Sequence, residues 1–181
     1  MRTDLIVCAT LLSSSLLFAQ AAGRRAPSFS LPDVNNQQHD LLDYRGRVVL
    51  VDIMRTNCPE CIPFAATLEQ VKTRYGKKVA ILAITNPPDS PASVNKFISE
   101  LKVTYPILFD CGQVAFSFVL PSPLRPSINI PHVYLIDREG VIRSDFEYGA
   151  NTREIFQGSG IYKEIDRLLA PKPAAKPAAK R

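Results

Sequence analysis

The sequence has few cysteines, no apolar stretch long enough to cross a membrane, and little net charge outside its last residues. Its 181 residues include four cysteines, which are too few for a disulfide scaffold in a chain that can bury a sizeable core of its own. The one marked apolar stretch, from Leu5 to Phe18, is shorter than the roughly 20 residues that a membrane-spanning helix needs. These shortages argue against a disulfide-stapled miniprotein and against a bundle of membrane helices.

Positive charge is concentrated at the C-terminus. The formal net charge is +5, and four of these charges come from Lys172, Lys176, Lys180 and Arg181. The rest of the chain is close to neutral, so we expect no basic groove for nucleic acid. Residues 171–181 are built from two copies of Lys-Pro-Ala-Ala, a composition that cannot bury a core. We predict that this segment is a disordered, solvated tail.

The first residues have the features of an export signal. Arg2 precedes the apolar stretch, and Ala19-Gln20-Ala21 fits the small-x-small pattern of a signal-peptidase site. We therefore predict a signal peptide over residues 1–22 and a folded domain over residues 23–170. After cleavage, the protein should be soluble in the periplasm or another extracytoplasmic compartment. The alternative is an uncleaved membrane anchor, which would need a longer apolar stretch.

Two cysteines lie only three positions apart, in the stretch Cys58-Pro59-Glu60-Cys61. An apolar run from Val48 to Met54 precedes them, and the spacing of apolar residues from Phe64 to Tyr75 suits a helix. The N–H groups and positive dipole end at the start of a helix stabilise a thiolate. Removal of the predicted signal peptide also removes Cys8 and leaves Cys111 as the one thiol outside the pair, a pattern that indicates a working redox pair rather than a set of structural disulfides.

Apolar runs alternate with helical patterns along the rest of the chain. Ser90 and Pro91 form an N-cap and first-turn pair that predicts a helix start, whereas Pro63 predicts a kink or a late start in the helix after the cysteines. The order β-α-β-α-β-β-α, with an extra N-terminal β-hairpin, predicts an α/β fold whose central mixed sheet is flanked by helices on both faces. Strands are predicted at residues 28–31, 39–41, 48–54, 79–85, 105–109, 132–136 and 141–148.

In their order along the chain, these features resemble the thioredoxin superfamily, and within it the exported TlpA/ResA-like branch. The resemblance covers Ala26 to about Leu169. Four motifs carry it, in chain order: Ala26-Pro27-Ser28-Phe29-Ser30-Leu31-Pro32 with Tyr44-Arg45-Gly46, the Cys58–Cys61 pair after a buried strand, Ile130-Pro131, and Leu135-Ile136-Asp137-Arg138-Glu139-Gly140. The resemblance implies a thioredoxin-like fold and a thiol-disulfide oxidoreductase. Its redox-active disulfide, Cys58–Cys61, would be the only cofactor, without a metal.

The resemblance also implies a role for each catalytic residue. Cys58 is expected to be an exposed thiolate that attacks a partner disulfide, and Cys61 is expected to resolve the mixed disulfide. Asp52 matches the buried acid of thioredoxins. Burial should raise the pKa of Asp52, so that this residue can move a proton at Cys61. The alternative is a buried acid that is only hydrogen-bonded.

Four residues are expected to contact the substrate, namely Ile130, Pro131, Pro59 and Glu60. The resemblance implies that the Ile130–Pro131 bond is cis and that this proline packs against the two sulfurs. There it would present backbone to an incoming substrate strand and keep metals off the thiols. The sequence departs from the family at two positions, because Asn57 and Glu60 stand where Trp and Pro are usual. The charge of Glu60 opposes the helix dipole, so the redox potential is left open.

Three further residues have more than one possible role. Arg55 could stabilise a thiolate or could simply be solvated at the loop rim. His132 could tune the cysteines or contact substrate, or it could only be packed in its strand. Cys111 is expected to be a buried structural cysteine, with a second resolving thiol or a regulatory thiol as the alternative.

The function that these features favour is an exported, monomeric reductase of disulfides in partner proteins. The resemblance suggests apocytochrome c haem-binding cysteines as one substrate and a membrane-embedded thiol as the electron donor. One alternative is a non-enzymatic binding module with a structural Cys58–Cys61 disulfide, and another is a zinc site formed by the same cysteines with Cys111 and His132. A peroxiredoxin is a further alternative, but it should have Thr where this chain has Arg55.

Overall fold

The structure is a computed structural model that describes residues 23–121, 123 and 127–171. The predicted signal peptide and all but the first residue of the predicted tail lie outside these residues. No helix in the described ranges is long and apolar enough to cross a bilayer. The strands are β1 (Ser30–Pro32), β2 (Gln38–Asp40), β3 (Val48–Met54), β4 (Val79–Thr85), β5 (Ile107–Phe109), β6 (His132–Ile136) and β7 (Ile142–Glu147). The helices are α1 (Cys61–Tyr75), α2 (Pro91–Leu101), α3 (Gln113–Val119), α4 (Arg153–Phe156) and α5 (Ser159–Leu169).

The central sheet has five strands in the order β5-β4-β3-β6-β7. The pairs β3–β4 and β4–β5 are parallel, whereas β3–β6 and β6–β7 are antiparallel. A second sheet consists of β1 and β2 alone, paired antiparallel. The predicted mixed sheet, the C-terminal hairpin and the extra N-terminal hairpin are all confirmed.

The middle strands are apolar throughout because both of their faces are covered. All seven residues of β3 and all seven of β4 are buried, as expected for strands inside a sheet with helices on each side. Alternate residues of β3 belong to two separate apolar layers. Leu50 and Met54 pack in the layer that contains α1, while Val51 and Ile53 pack in the layer that contains α3.

The sequence predicted where two helices begin, and the structure confirms one of these two starts. At α2, Ser90 and Ser93 cap each other, with the Ser93 N–H donating to Ser90 Oγ at 3.3 Å and the Ser90 N–H to Ser93 Oγ at 2.9 Å. That predicted start is confirmed. Of the two outcomes predicted at Pro63, a kink or a late start, the late start is wrong, because α1 already begins at Cys61. Pro63 therefore lies in the first turn, where the missing N–H would have no partner within the helix.

Candidate active site

The two cysteines lie where the chain leaves the end of β3 and enters α1. Cys61 is the first residue of the helix, and Cys58 precedes it by one tight turn. Both are free cysteines, with only 7% of Cys58 and 2% of Cys61 exposed. The expectation that Cys58 is exposed at the helix start is wrong. Its side chain packs in the same apolar layer as Phe64, because the turn folds it back against the helix.

The sulfur of Cys58 is held between a helix amide and a loop carbonyl. The N–H of Cys61 lies 3.2 Å from Cys58 Sγ and donates to it. On the other side, Cys58 Sγ lies 3.6 Å from the carbonyl oxygen of Ile130 and donates its S–H there. An amide at the start of a helix favours negative charge on the sulfur, and the carbonyl favours the thiol.

Of the four residues predicted to contact substrate, Ile130 reaches this sulfur with its carbonyl, and Pro59 and Glu60 lie between the two cysteines in sequence. The Ile130–Pro131 bond is cis, as expected, and Pro131 is buried while Pro59 and Glu60 are exposed. Glu60 is the N-cap residue of α1, but its side chain makes no cap hydrogen bond. It accepts a hydrogen bond from Tyr148 instead, and this bond raises the pKa of Tyr148. A second cis bond, Pro87–Pro88, was not predicted.

Asp52 lies on the side of the sheet that faces α1. Alternation along β3 puts its side chain on the face of Leu50 and Met54, which pack in the layer that also holds Cys61. Only 3% of Asp52 is exposed, and Oδ1 has no hydrogen-bond partner in the described residues. Burial raises the pKa of Asp52 from 3.8 to about 8, in the direction predicted from the sequence.

Cys61 is a weak acid in this setting. Burial raises the pKa of the Cys61 thiol first of all, and the charge of Asp52 raises it further. Tyr105 lies close to both Asp52 and Cys61. Burial raises the pKa of Tyr105 first of all, and the charges of these two groups raise it further. In the reduced state Cys61 therefore keeps its proton, and the neighbouring acid that acts on it is Asp52.

Arg55 and His132, the two candidate tuning residues, are placed very differently. Arg55 is exposed, its Nη2 donates to the carbonyl of Pro87 at 3.3 Å, and its own carbonyl accepts the N–H of Cys58 at 3.3 Å. His132 is fully buried and stacks on Tyr134 in the apolar layer of α3. Its Nε2 lies 2.5 Å from Asp145. His132 therefore faces away from the side of the sheet that carries the cysteines.

Cys111 is exposed, so the prediction of a buried structural cysteine is wrong. It follows Asp110, whose buried carboxylate accepts the N–H groups of Val114 at 3.2 Å and Ala115 at 2.9 Å. Asp110 turns inward to hold the start of α3, which leaves the next residue at the surface. Within the described residues no three His, Cys, Asp or Glu side chains are grouped closely enough to hold a metal ion.

Asp89, which supports the loop that carries the cysteines, was not identified from the sequence. The Asp89 carboxylate accepts the N–H of Thr56 at 2.9 Å and its hydroxyl at 2.5 Å, and it also accepts the hydroxyl of Thr85. Burial raises the pKa of Asp89, but the hydrogen bonds from Thr56 and Thr85 outweigh this and lower it overall. The only sequence signal was a Pro-Pro-Asp turn, which gives no indication of a partner 33 residues away.

Comparison with known proteins places this arrangement among redox proteins. The AhpC/TSA family matches residues 22–145. A thiol-disulfide oxidoreductase ResA of Geobacillus kaustophilus is 32% identical over 154 residues, which are 83% of this chain and 78% of that protein. The thioredoxin-like protein YneN of Bacillus subtilis is 28% identical over 134 residues, 73% of this chain and 74% of that protein.

Solved structures agree on the fold. A putative thiol:disulfide interchange protein DsbE from Chlorobium tepidum matches with a TM-score of 0.68 at 22% identity, over 82% of this chain and 98% of that chain. An uncharacterized conserved protein from Geobacillus kaustophilus matches with a TM-score of 0.69 at 24% identity, over 86% of each chain. At these identities the likeness supports the thioredoxin-like fold alone.

Proposed function

This chain belongs to the AhpC/TSA family of thioredoxin-like proteins, and from that membership we propose that it is an exported reductase of disulfides in partner proteins. Its relatives named thiol-disulfide oxidoreductase ResA support oxidoreductase activity. The observation that carries the finer proposal is the position of Cys58 Sγ, 3.2 Å from the first amide of α1 and 3.6 Å from the carbonyl of Ile130. Cys58 is thereby assigned as the attacking residue.

The first step is an exchange at sulfur. Cys58, as the thiolate, attacks one sulfur of the substrate disulfide, and the substrate S–S bond breaks as the mixed disulfide forms. The departing substrate sulfur leaves as a thiolate and takes up a proton. The helix amide that contacts Cys58 Sγ stabilises the negative charge before attack. Substrate backbone would approach along Ile130 and Pro131, beside Pro59 and Glu60.

The second step requires a proton to leave Cys61. Because burial keeps Cys61 protonated, the thiol must pass its proton to a base before it can attack Cys58 Sγ. We assign that base as Asp52, whose pKa of about 8 leaves it partly ionised near neutral pH. Attack by Cys61 forms the Cys58–Cys61 disulfide and releases the second substrate thiolate. Two electrons have then passed from the two cysteines to the substrate, and the Cys61 proton, held by Asp52, passes to the released thiolate or to solvent.

The enzyme needs a dithiol donor to start again. We propose a membrane-embedded thiol protein as that donor, on the extracytoplasmic side, because the predicted signal peptide would export the chain. The donor would reduce Cys58–Cys61 by the same two exchanges in reverse order. Apocytochrome c, with its haem-binding cysteines, is the first substrate to test. The assembly is expected to be a transient complex of a monomer with each partner.

Trapping tests this function. A Cys61→Ser variant cannot resolve the mixed disulfide, so we expect it to accumulate covalent complexes with partner proteins in its own periplasm. Non-reducing electrophoresis and mass spectrometry would identify the partners, and Cys111→Ser in the same background is the control that shows the link is through Cys58. The wild type should reduce insulin when a dithiol is supplied.

The rival functions predict different results. A non-enzymatic module would form no complexes and would leave insulin oxidised, and that pair of results would overturn the proposal. A peroxiredoxin would consume peroxide through a single cysteine. The position three residues before Cys58 holds Arg55 rather than Thr, so we expect no peroxide consumption in the same assay.

A further inference from the structure

A groove of about 620 Å³ lies beside Met54 and Arg55, the residues that lead from β3 into the loop that carries Cys58. We call it the α3 groove, because α3 forms one of its walls. Its lining includes Arg55, Cys111, Phe116 and Ile130. Of these, only Ile130 has a part in the two exchange steps at sulfur.

The α3 groove is continuous with the redox site. Ile130 lines the groove, and its carbonyl oxygen lies 3.6 Å from Cys58 Sγ. Arg55 also lines the groove, and its carbonyl accepts the N–H of Cys58 at 3.3 Å. A disulfide that reaches Cys58 therefore brings whatever is attached to it to the mouth of the groove.

Apolar side chains are exposed mainly at this end of the molecule. Phe116 is 65% exposed inside the groove, and Leu120, the residue after α3, is 47% exposed. Ile62, next to Cys61, is 41% exposed. The remaining large apolar side chain exposed in the described residues is Leu42, which lies near the start of β3, at the other end of the sheet. Exposed apolar residues grouped beside a reactive sulfur indicate a binding surface.

The groove also has one unpaired positive charge. Arg55 is the charged residue among its described lining residues. It donates to the carbonyl of Pro87, and it has no carboxylate partner in the described part of the chain. An exposed guanidinium at the rim of an apolar groove favours an occupant that carries a carboxylate.

We propose that Phe116 and Arg55 make the α3 groove selective for the segment that flanks the reacting cysteine of a substrate polypeptide. An apolar or aromatic side chain of that segment packs on Phe116, and an acidic side chain pairs with Arg55. The proposal rests on the proposed function, because the occupant reaches the groove through the disulfide that Cys58 attacks. It adds a preference among substrates: disulfides flanked by apolar and acidic residues are reduced faster than disulfides with polar, neutral flanks.

A kinetic comparison tests this preference. The probes are a cyclic disulfide peptide with Phe and Glu beside one cysteine, the same peptide with Gly and Gln there, and oxidised glutathione, with a dithiol as the donor. The wild type should favour the Phe-Glu peptide over the Gly-Gln peptide by roughly tenfold in kcat/KM, mainly through KM. Phe116→Ser should lower that ratio severalfold and leave only the part that comes from the pairing of Glu with Arg55. Leu42→Ser, which removes a half-exposed apolar side chain at the far end of the sheet, should leave the ratio unchanged.

Charge reversal provides a second variant that does not depend on the apolar wall. Arg55→Glu should invert the preference, so that a peptide with Phe and Lys is reduced faster than the peptide with Phe and Glu. Thermal unfolding of each variant would show that the fold is kept. Binding can also be measured without turnover, in the Cys58→Ser/Cys61→Ser variant. In this variant the S-methylated Phe-Glu peptide should slow the alkylation of Cys111, which lines the groove.

The outcomes separate the two proposals. If the wild type reduces all three disulfides without preferring the Phe-Glu peptide, or if Phe116→Ser keeps the full wild-type preference, the α3 groove is not the flank-binding site. If no disulfide is reduced by any variant, the proposed reductase function fails instead. Protection of Cys111 by the Gly-Gln peptide as strongly as by the Phe-Glu peptide would also overturn the groove proposal.

Discussion

At the scale of single residues, Asp52 is the most unusual feature of the site. It introduces a carboxyl into a seven-residue strand that is otherwise apolar and buried throughout. One of its oxygens has no partner in the described residues, although buried polar groups are nearly always hydrogen-bonded. An unsatisfied acid of raised pKa next to a protonated thiol is costly for folding and useful for proton transfer.

The cost should be visible in the pH dependence of stability. The folded protein keeps a proton on Asp52 up to about pH 8, whereas the unfolded chain loses it near pH 4. The stabilising contribution of neutral Asp52 is therefore complete below pH 4 and is lost as the pH rises through 8. At pH 8.5 we expect the free energy of unfolding in urea to be higher for Asp52→Asn than for the wild type, by on the order of a few kcal/mol. At pH 4 the two proteins should have similar free energies of unfolding.

The matched control is Asp43→Asn, which removes an exposed carboxyl near the start of β3. It should show little difference from the wild type at either pH. The same Asp52→Asn protein should resolve mixed disulfides more slowly, by roughly a hundredfold for loss of a general base. A wild-type stability curve that does not decline between pH 4 and 8.5 relative to Asp52→Asn would contradict the burial argument.

At the scale of elements, the loop between β3 and α1 decides where Cys58 points. Two sets of hydrogen bonds hold the loop: within it, the carbonyl of Arg55 accepts the N–H of Cys58, and outside it, Asp89 accepts hydrogen bonds from Thr56. Asp89 comes directly before the N-cap of α2 and also accepts the hydroxyl of Thr85, the last residue of β4. One carboxylate therefore joins the redox loop to the next strand and helix.

Removing this carboxylate should loosen the redox loop. Asp89→Ala leaves the partly buried donors of Thr56 and Thr85 unsatisfied, and we expect a loss of about 1–3 kcal/mol in urea unfolding at pH 7. The loss should shrink as the pH falls below about 4, because the hydrogen bonds that lower the pKa of Asp89 stabilise its ionised form. The alkylation of Cys58 in this variant should also no longer follow a single rate.

Asp40→Ala is the control for Asp89→Ala. Asp40 accepts the N–H of Leu42 at 2.8 Å and caps a short turn far from Cys58, so its loss should cost about 1 kcal/mol. It should leave Cys58 alkylation unchanged. If both variants lose equal stability and neither alters Cys58, Asp89 is an ordinary surface cap.

At the scale of the whole molecule, the reactive groups gather at one end of the sheet. β3 and β4 are parallel, and β6 runs antiparallel beside β3 with Ile53 opposite His132. The ends of β3 and β4 and the beginning of β6 therefore meet, which brings Cys58, Asp89 and Ile130 to one edge although they are far apart in sequence. The α3 groove opens at this same edge.

Most of the net positive charge of the chain lies in its last residues, which are far in sequence from Cys58, Asp89 and Ile130. A chain that ends at Pro171 loses four positive charges and should elute earlier from a cation-exchange column. Because a Lys-Pro-Ala-Ala composition cannot bury a core, the melting temperature and insulin reduction of the shortened chain should equal those of the mature chain. A variant with Gln at positions 172, 176 and 180 controls for length. Slower reduction by the truncated chain would show instead that the tail takes part in partner binding.

The sequence by itself determined the elements whose signal is local. Continuous apolar runs predicted β3, β4 and β6 at their observed bounds, because strands buried on both faces need apolar side chains at every position. Ser90 and Pro91 predicted the start of α2 for an equally local reason, namely the hydrogen bonds of the first turn. The Cys58–Cys61 spacing and Ile130-Pro131 indicated where the chemistry lies.

Only the tertiary structure decided which side chains are covered and what they face. Cys58 is buried because its turn folds against α1, Cys111 is exposed because Asp110 takes the inward position, and His132 faces the layer of α3. Each outcome depends on segments distant in sequence, and periodicity within one element carries no information about them. The Asp89 link to Thr56 and the α3 groove are of the same kind. They arise from loops that meet only after the sheet has formed.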